Sequence, residues 1–317
     1  MISPLQPPPL DPHTMALIKM AIREDLGHAS YGTVQGDKTV ELAIPQELSG
    51  TAHIISRRPG VIAGTYLLGP ILREYQVNMA CEIFTPDGTR IEPNQPVAKI
   101  SGAVGTILSA ERVLLNFLGH LSGIATLTRR YVDAVAPVAR ETGKPLICDI
   151  RKTTPAFRQL DKYAVRCGGG VNHRMGLYDG VILKDNHLAA LREKLGKGMT
   201  LAQLTRNIRA KLAPEFTLWL EVDTLDQLRE ELDGQGARGG ADIIIIDNFT
   251  PDQMRQAVKL RDRKTQDSGL KTPLLEASGG ITLDNILPVA QTGVDRISIG
   301  ALTHSAPVLD LSMEFDA

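Results

Sequence analysis

Between Cys148 and His187 the chain gathers five groups able to carry positive charge. Arg151 and Lys152 follow the apolar run 145–150, His173 and Arg174 follow the triple glycine 168–170, and Lys184 follows the run 180–183. Such a cluster repels itself unless an anion neutralises it. The pattern therefore predicts a pocket for a small polyanion. Arginines there suit bidentate contacts to carboxylate or phosphate oxygens.

The elements that position this cluster are short. From Pro145 onward, β-branched runs at 147–150, 181–184, 217–223, 242–247, 274–278 and 296–300 alternate with helical stretches at 157–167, 188–212, 225–232, 251–263 and 283–291. Ile243 to Ile246 is four isoleucines, the pattern of a parallel strand covered on both faces. Repeated β-α units predict a parallel barrel or a doubly wound sheet. Neither G-x-G-x-x-G after a first strand nor G-x-x-x-x-G-K-[ST] occurs, so a dinucleotide fold and a P-loop are unsupported. Six runs fall short of the usual eight strands, and the fold class is read as α/β with an incomplete parallel barrel.

At the C-terminal ends of these runs stand Arg151-Lys152, Lys184-Asp185-Asn186, Glu221 and Asp223, Asp247-Asn248, Ser278-Gly279-Gly280, and Gly300. In β/α barrels these ends converge on the face where active sites are built. Glu221 and Asp247 facing a phosphate site make sense with a divalent metal between them, and magnesium takes one or two carboxylates plus substrate oxygens. The plainer reading is that Glu221 pairs with Lys184. The glycine-rich last two ends offer unobstructed backbone N–H groups, a frequent phosphate cradle in barrels. Together these features fit 5-phosphoribosyl-1-diphosphate beside an anionic aromatic acid, with the departing diphosphate neutralised and the acceptor nitrogen held in line.

The first part of the chain reads as a Pro-rich arm (1–12), a helix (13–26) with Met15, Ile18, Met20, Ala21 and Ile22 apolar, a loop (27–39) and a β-rich region. Candidate strands there are 40–44, 50–56, 82–84 and 96–100, with a helix at 66–74 and a P-D-G turn at 86–88. A long helix follows at 106–135, with Val113, Leu114, Phe117, Leu118 and Leu121 as its buried stripe. Arg112, Asn116, Gly119 and Gly123 line another face, where small residues admit a second backbone from the fold or from another subunit. Read alone, Arg112 is a surface arginine pairing with Glu111 or Asp133.

Composition sets the outer bounds. The chain has 317 residues, 43% apolar and 22% charged, with net charge −1, so no general nucleic-acid or membrane coat is expected. Cys81, Cys148 and Cys167 lack C-x-x-C spacing and fit reduced thiols in a cytoplasmic setting. Neither a secretory signal nor an apolar run of membrane-spanning length is visible.

Several long motifs resemble the quinolinate phosphoribosyltransferase family. They are E-R-V-L-L-N-F-L-G-H-L-S-G-I-A-T (111–126), R-K-T-T-P (151–155), K-Y-A-V-R-C-G-G-G-V-N-H-R-M-G-L (162–177), L-K-D-N-H (183–187), L-E-V-D (220–223), I-D-N-F (246–249), E-A-S-G-G-I (276–281) and I-S-I-G-A-L-T-H-S-A (297–306). The resemblance implies an N-terminal α/β sandwich (1–135, with 301–317 packing back on it) and a catalytic partial barrel (136–300). It implies a homodimer or an assembly of dimers, in which Arg112 reaches the neighbouring subunit's site. Arg151, Lys152, His173, Arg174 and Lys184 would surround the quinolinate carboxylates and diphosphate. Glu221 and Asp247 would face ribose and Mg2+, and Ser278, Gly279 and Gly300 would hold the 5-phosphate. The implied reaction gives nicotinate mononucleotide, carbon dioxide and diphosphate on the way to NAD, with Lys152, Lys184, Glu221 and Asp247 as the catalytic set. Departures from the family pattern are Ile150 for threonine, Ala156 for glycine, and what looks like an insertion at 28–35. Competing readings are a phosphoribosyltransferase for another aromatic acid, a Schiff-base aldolase using Lys184, and an inactive binding protein.

Overall fold

The computed structural model describes residues 5–27, 36–75, 78–195, 198–234, 239–268 and 273–316; the segment 28–35 lies outside them. The chain forms two compact units. One comprises Met1–Arg129, Thr153–Gly169 and Ala301–Ala317, the other Arg130–Lys152 and Gly170–Gly300. A linear division at 135/136 misses the segment 153–169. That segment joins the first unit because Tyr163 Oη donates to Asp87 Oδ2 at 2.7 Å and His120 Nε2 meets the buried Asp161 carboxylate at 2.8 Å.

In the first unit, helix α1 (Pro12–Leu26) starts at Asp11, whose side chain accepts from the Thr14 amide. Thr14, Ile18, Ile22 and Leu26 form its buried stripe, while Met20 is exposed. Residues 40–44, expected as a strand, are instead mostly helical. Asp37 accepts from the amides of Thr39 and Val40 and so starts α2 (Lys38–Ala43), overriding a weak β-branched signal.

A four-stranded antiparallel sheet is built from β1 (Ser49–Ser56), β3 (Ala80–Ile83), β5 (Pro96–Ala103) and the C-terminal β12 (Leu311–Phe315), in the order β12-β1-β5-β3. The short pair β2 (Gly60–Val61) and β4 (Arg90–Ile91), and helices α3 (Leu68–Tyr75), α5 (Arg158–Cys167) and α11 (Ala301–His304), complete the unit. Helix α4 runs longer than expected, Val104–Thr142, and its predicted stripe from Val113 to Leu121 is buried. Its glycines receive a backbone from the same chain. A Cβ on Gly123 would lie 2.1 Å from the Pro307 carbonyl oxygen, and the Leu309 amide donates to Gly119 O at 3.0 Å.

The second unit holds six parallel strands: β6 (Leu146–Cys148), β7 (Val181–Leu183), β8 (Leu218–Val222), β9 (Ile243–Asp247), β10 (Leu274–Ser278) and β11 (Arg296–Ser298). Their order is β6-β11-β10-β9-β8-β7, so the two edges, β6 and β7, are not paired with each other. This is the incomplete barrel expected. Helices α8 (Leu225–Gly234), α9 (Pro251–Ser268) and α10 (Ile286–Ala290) link the later strands. The stretch 188–212, expected as one helix, is two: α6 (Asp185–Leu195) and α7 (Leu201–Arg209). Thr200 with Gln203 forms a capping box that starts the second. All four isoleucines of β9 are buried; Ile243 and Ile245 pack with Trp219 and Ile182. Among the described residues no helix is long and apolar enough to cross a membrane.

Candidate active site

The strand order fixes the order of the strand ends in the second unit. Across the sheet they run Arg151-Lys152, Gly300, Ser278, Asp247, Glu221, Lys184. Residues two apart in a strand share a face. Ile182 therefore shares a face with Lys184, Trp219 with Glu221, Ile245 with Asp247, and Glu276 with Ser278. The apolar cluster of Ile182, Trp219, Ile243 and Ile245 is thus the floor beneath Lys184, Glu221 and Asp247.

Lys184 Nζ is ion-paired with Glu221 Oε2, so the plainer pairing is what the structure contains. Glu221 is largely covered and Lys184 half-exposed, at neighbouring strand ends. Asp247 is one rung further along: Ser278 pairs with it in register, whereas Glu221 pairs with Ile245. Asp247 Oδ2 accepts from Asn248 Nδ2 at 2.7 Å. Among the described residues no three His, Cys, Asp or Glu side chains gather to hold a metal. Glu221 and Asp247 are hard oxygen donors on adjacent strands, a set that suits magnesium arriving with substrate oxygens better than a cage made of protein alone.

The loop after α5 carries the rest of the cationic group. Val171 forms a parallel bridge with Cys148, extending the β6 edge. Asp149, fully buried, accepts from the His173 amide at 2.9 Å and from Asn172 Nδ2 at 2.6 Å. Arg174 Nη1 donates to Gly180 O at 2.7 Å, and the Met175 amide donates to Asp179 Oδ2, which closes the loop on itself. Burial, and after it the charge of Arg151, holds the Arg174 guanidinium below the usual arginine range. The Nε atoms of both arginines are buried without a hydrogen-bond partner. Two neighbouring guanidiniums, each with an unused Nε donor, have the chemistry to hold an anion.

At the other end of the row, Gly279 (φ 89°) and Gly280 (φ 60°) turn the chain after β10. A Cβ on Gly279 would sit 2.2 Å from Asn248 Oδ1, so only glycine fits. Asn248 is itself left-handed, with φ 56°.

The structure thus brings Arg151 to Arg174, Lys184 to Glu221, and Ser278 to Asp247. Lys152 is an exposed residue at the β6 end and Gly300 follows β11. Arg112 belongs to the first unit, where its exposed guanidinium lies 3.5 Å from Glu111. The sequence reading passed over Asp149, Trp219, Glu276 and Arg296. His173 stacks on Trp219 with ring centroids 4.6 Å apart and approaches the fully buried Glu276, which also accepts from Arg296 Nε at 2.7 Å. One signal was available: Glu276 is a charge inside an otherwise apolar strand, two residues before Ser278.

Family models for the quinolinate phosphoribosyl transferase N-terminal and C-terminal domains match residues 37–122 and 124–314. The chain belongs to the quinolinate phosphoribosyl transferase family. It is 40% identical to a nicotinate-nucleotide pyrophosphorylase [carboxylating] of Mycobacterium leprae, over 94% of this chain and 95% of that protein. It is 39% identical to a probable nicotinate-nucleotide pyrophosphorylase [carboxylating] of Bacillus subtilis, over 88% of each chain. Among solved structures, the nicotinate-nucleotide pyrophosphorylase from Francisella tularensis superposes with a TM-score of 0.82 at 30% identity, covering 96% of this chain and 98% of that one. In this family member the cationic loop, the carboxylates Glu221 and Asp247 and the glycine turn all lie at the strand ends of the second unit.

Proposed function

We propose that the protein transfers the phosphoribosyl group of 5-phosphoribosyl-1-diphosphate to quinolinate and decarboxylates the product to nicotinate mononucleotide, a step of NAD biosynthesis. The observation that carries this reading is the pair of half-buried, partly unsatisfied arginines, Arg151 and Arg174, in a chain of this family. In this reading they receive the two carboxylates of the acid. Lys152 and Lys184 add charge for the carboxylates and the diphosphate. Ser278, Gly279 and Gly300 hold the 5-phosphate at the glycine-rich strand ends.

Cleavage of the C1–diphosphate bond leaves positive charge on the ribose, which Glu221 and Asp247 face from adjacent strands. The pyridine nitrogen supplies the electron pair for the new bond to C1, and diphosphate leaves with the old one. Ribosylation makes the ring nitrogen cationic. The neighbouring carboxylate then departs as carbon dioxide, leaving its electron pair on the ring carbon beside that nitrogen, where a proton completes the product. Glu221 and Asp247 would hold magnesium, which supplies charge neutralisation for the diphosphate when bound. The fixed cations favour a dianionic acid over nicotinate, which lacks the second carboxylate.

Arg112, exposed at the surface of its own unit, is assigned to the site of a second copy in a homodimer. The setting is cytoplasmic, consistent with Cys81, Cys148 and Cys167 standing as thiols rather than as disulfides. Two measurements test this reading. Product analysis with quinolinate and the diphosphate donor, with and without magnesium, should give nicotinate mononucleotide and carbon dioxide in equal amounts, with magnesium required. Mixing Arg112→Ala with Lys184→Ala after verified subunit exchange should restore part of the activity; no recovery would remove the shared site.

A further inference from the structure

Trp219 is the chain's one tryptophan, and it stands where the apolar floor of the second unit meets the cationic loop. Its place on β8 is fixed by register, with Ile182 of β7 on one side and Ile243 of β9 on the other. The indole is almost fully buried and packs with Ile182, Ile243 and Ile245. Its Nε1 is buried without a hydrogen-bond partner. Packing alone therefore holds the ring, and the ring acts on its neighbours by shape.

Those neighbours include both ends of the loop 173–180. At the first end the His173 ring stacks on the indole, with centroids 4.6 Å apart and planes inclined by 28°. At the second end the Gly180 backbone comes so close that a Cβ there would lie 2.6 Å from indole Cζ3. Arg174 is tied to both ends. It follows His173 directly in the chain, and its Nη1 donates to Gly180 O at 2.7 Å. Leu177 and Tyr178, at the tip of the loop, are exposed, so the fixed points of the loop are its ends. Two residues beyond the indole on β8, and on the same face, Glu221 pairs with Lys184.

We propose that Trp219 is a positioning residue: its ring braces both ends of the 173–180 loop and so sets where the Arg174 guanidinium stands relative to Lys184 and Glu221. A rigid aromatic dicarboxylate fixes the spacing of its two anionic groups, and a guanidinium displaced by about 1 Å meets it poorly. The inference deepens the proposed function, and its kinetic part rests on that reading.

Two variants and two readouts test it. Trp219→Phe keeps a flat ring for His173 but withdraws the outer edge from Gly180, and it breaks no hydrogen bond because Nε1 makes none. Trp219→Leu removes the flat ring altogether. The quinolinate KM should rise about 3-fold in the first and about 10-fold or more in the second, with the KM for the diphosphate donor within about 2-fold of the parent in both. An unchanged quinolinate KM, or KM values that rise together for both substrates, overturns the proposal. The second readout needs no turnover. Trypsin cleavage after Arg174, followed in the full-length protein by mass spectrometry, should quicken about 10-fold or more in Trp219→Leu relative to cleavage at the other sites. Cleavage that quickens equally at all sites means general destabilisation and overturns the brace. If the leucine variant does not fold, the phenylalanine variant carries both readouts, each at about 3-fold. A wild-type protein that does not turn over quinolinate would sink the functional reading, and cleavage after Arg174 would still decide the brace.

Discussion

Arg151 lies close enough to Arg174 that its charge, after burial, holds the Arg174 guanidinium below the usual arginine range. Without a bound anion this closeness works against the fold; in the proposed function the acid's carboxylates turn it into affinity. Replacing Arg151 by Met keeps the apolar stem and removes the charge. The quinolinate KM should rise about 100-fold, the ~3 kcal/mol of a charge-assisted contact. In the absence of ligand the urea midpoint should rise. A lower midpoint with unchanged KM would mean that the two arginines do not share an anion.

Gly279 and Gly280 allow a paired comparison at the turn after β10, the end proposed to hold the 5-phosphate. Both have positive φ, but a Cβ on Gly279 meets Asn248 Oδ1 at 2.2 Å, while one on Gly280 meets nothing within 4 Å. Gly279→Ala should raise the KM for the diphosphate donor by about 10-fold or more, because Asn248 or the turn must shift. Gly280→Ala should cost about 1 kcal/mol of stability from its left-handed backbone and leave that KM nearly unchanged. Steady-state kinetics of the two variants, with chemical denaturation, separate crowding from strain.

Ala156 has φ 65°, a left-handed conformation that a Cβ disfavours. Its carbonyl accepts from His13 Nε2 at 2.7 Å, a contact that does not depend on its side chain. Ala156→Gly should therefore stabilise the protein by about 0.5–1 kcal/mol, after the greater freedom of glycine in the unfolded chain is subtracted. The urea midpoint should increase with the slope of the transition unchanged.

Glu276 gives the acid limb of stability. Burial raises its proton affinity, but the His173 and Arg296 contacts outweigh burial and hold the carboxyl below its ordinary 4.5. A carboxyl depressed in the folded state adds stability above its unfolded value and loses it as pH falls through the folded one. Glu276→Gln, which leaves Arg296 buried without its counter-charge, should cost about 3 kcal/mol near neutral pH. The difference from wild type should shrink below about pH 4.5 in denaturation measured across pH. A difference that stays constant or widens on acidification would contradict this account.

The strands of the barrel unit were legible because each is a short β-branched run ending in a polar residue or glycine, and β9, with four isoleucines, is the clearest. The charged strand ends were legible for the same reason. Less visible was what depends on side chains reaching across the fold. Asp37 turned a β-branched stretch into a helix, and Thr200 split one expected helix into two. Gly119 and Gly123 announced a close backbone without naming it; Pro307 to Leu309 supply it. His173 was grouped with the cations by residue type alone. In the fold its ring nitrogen lies 3.4 Å from Glu276, more than a hundred positions along the chain, a relation that no local pattern encodes.

The ratio of kcat/KM for quinolinate to that for nicotinate, measured with the same diphosphate donor and magnesium, tests the central claim most directly. Two guanidiniums and two lysines arranged for a dicarboxylate predict a preference for quinolinate of at least about 100-fold, with one carbon dioxide released per turnover. Equal or better turnover of nicotinate, without carbon dioxide, would contradict it.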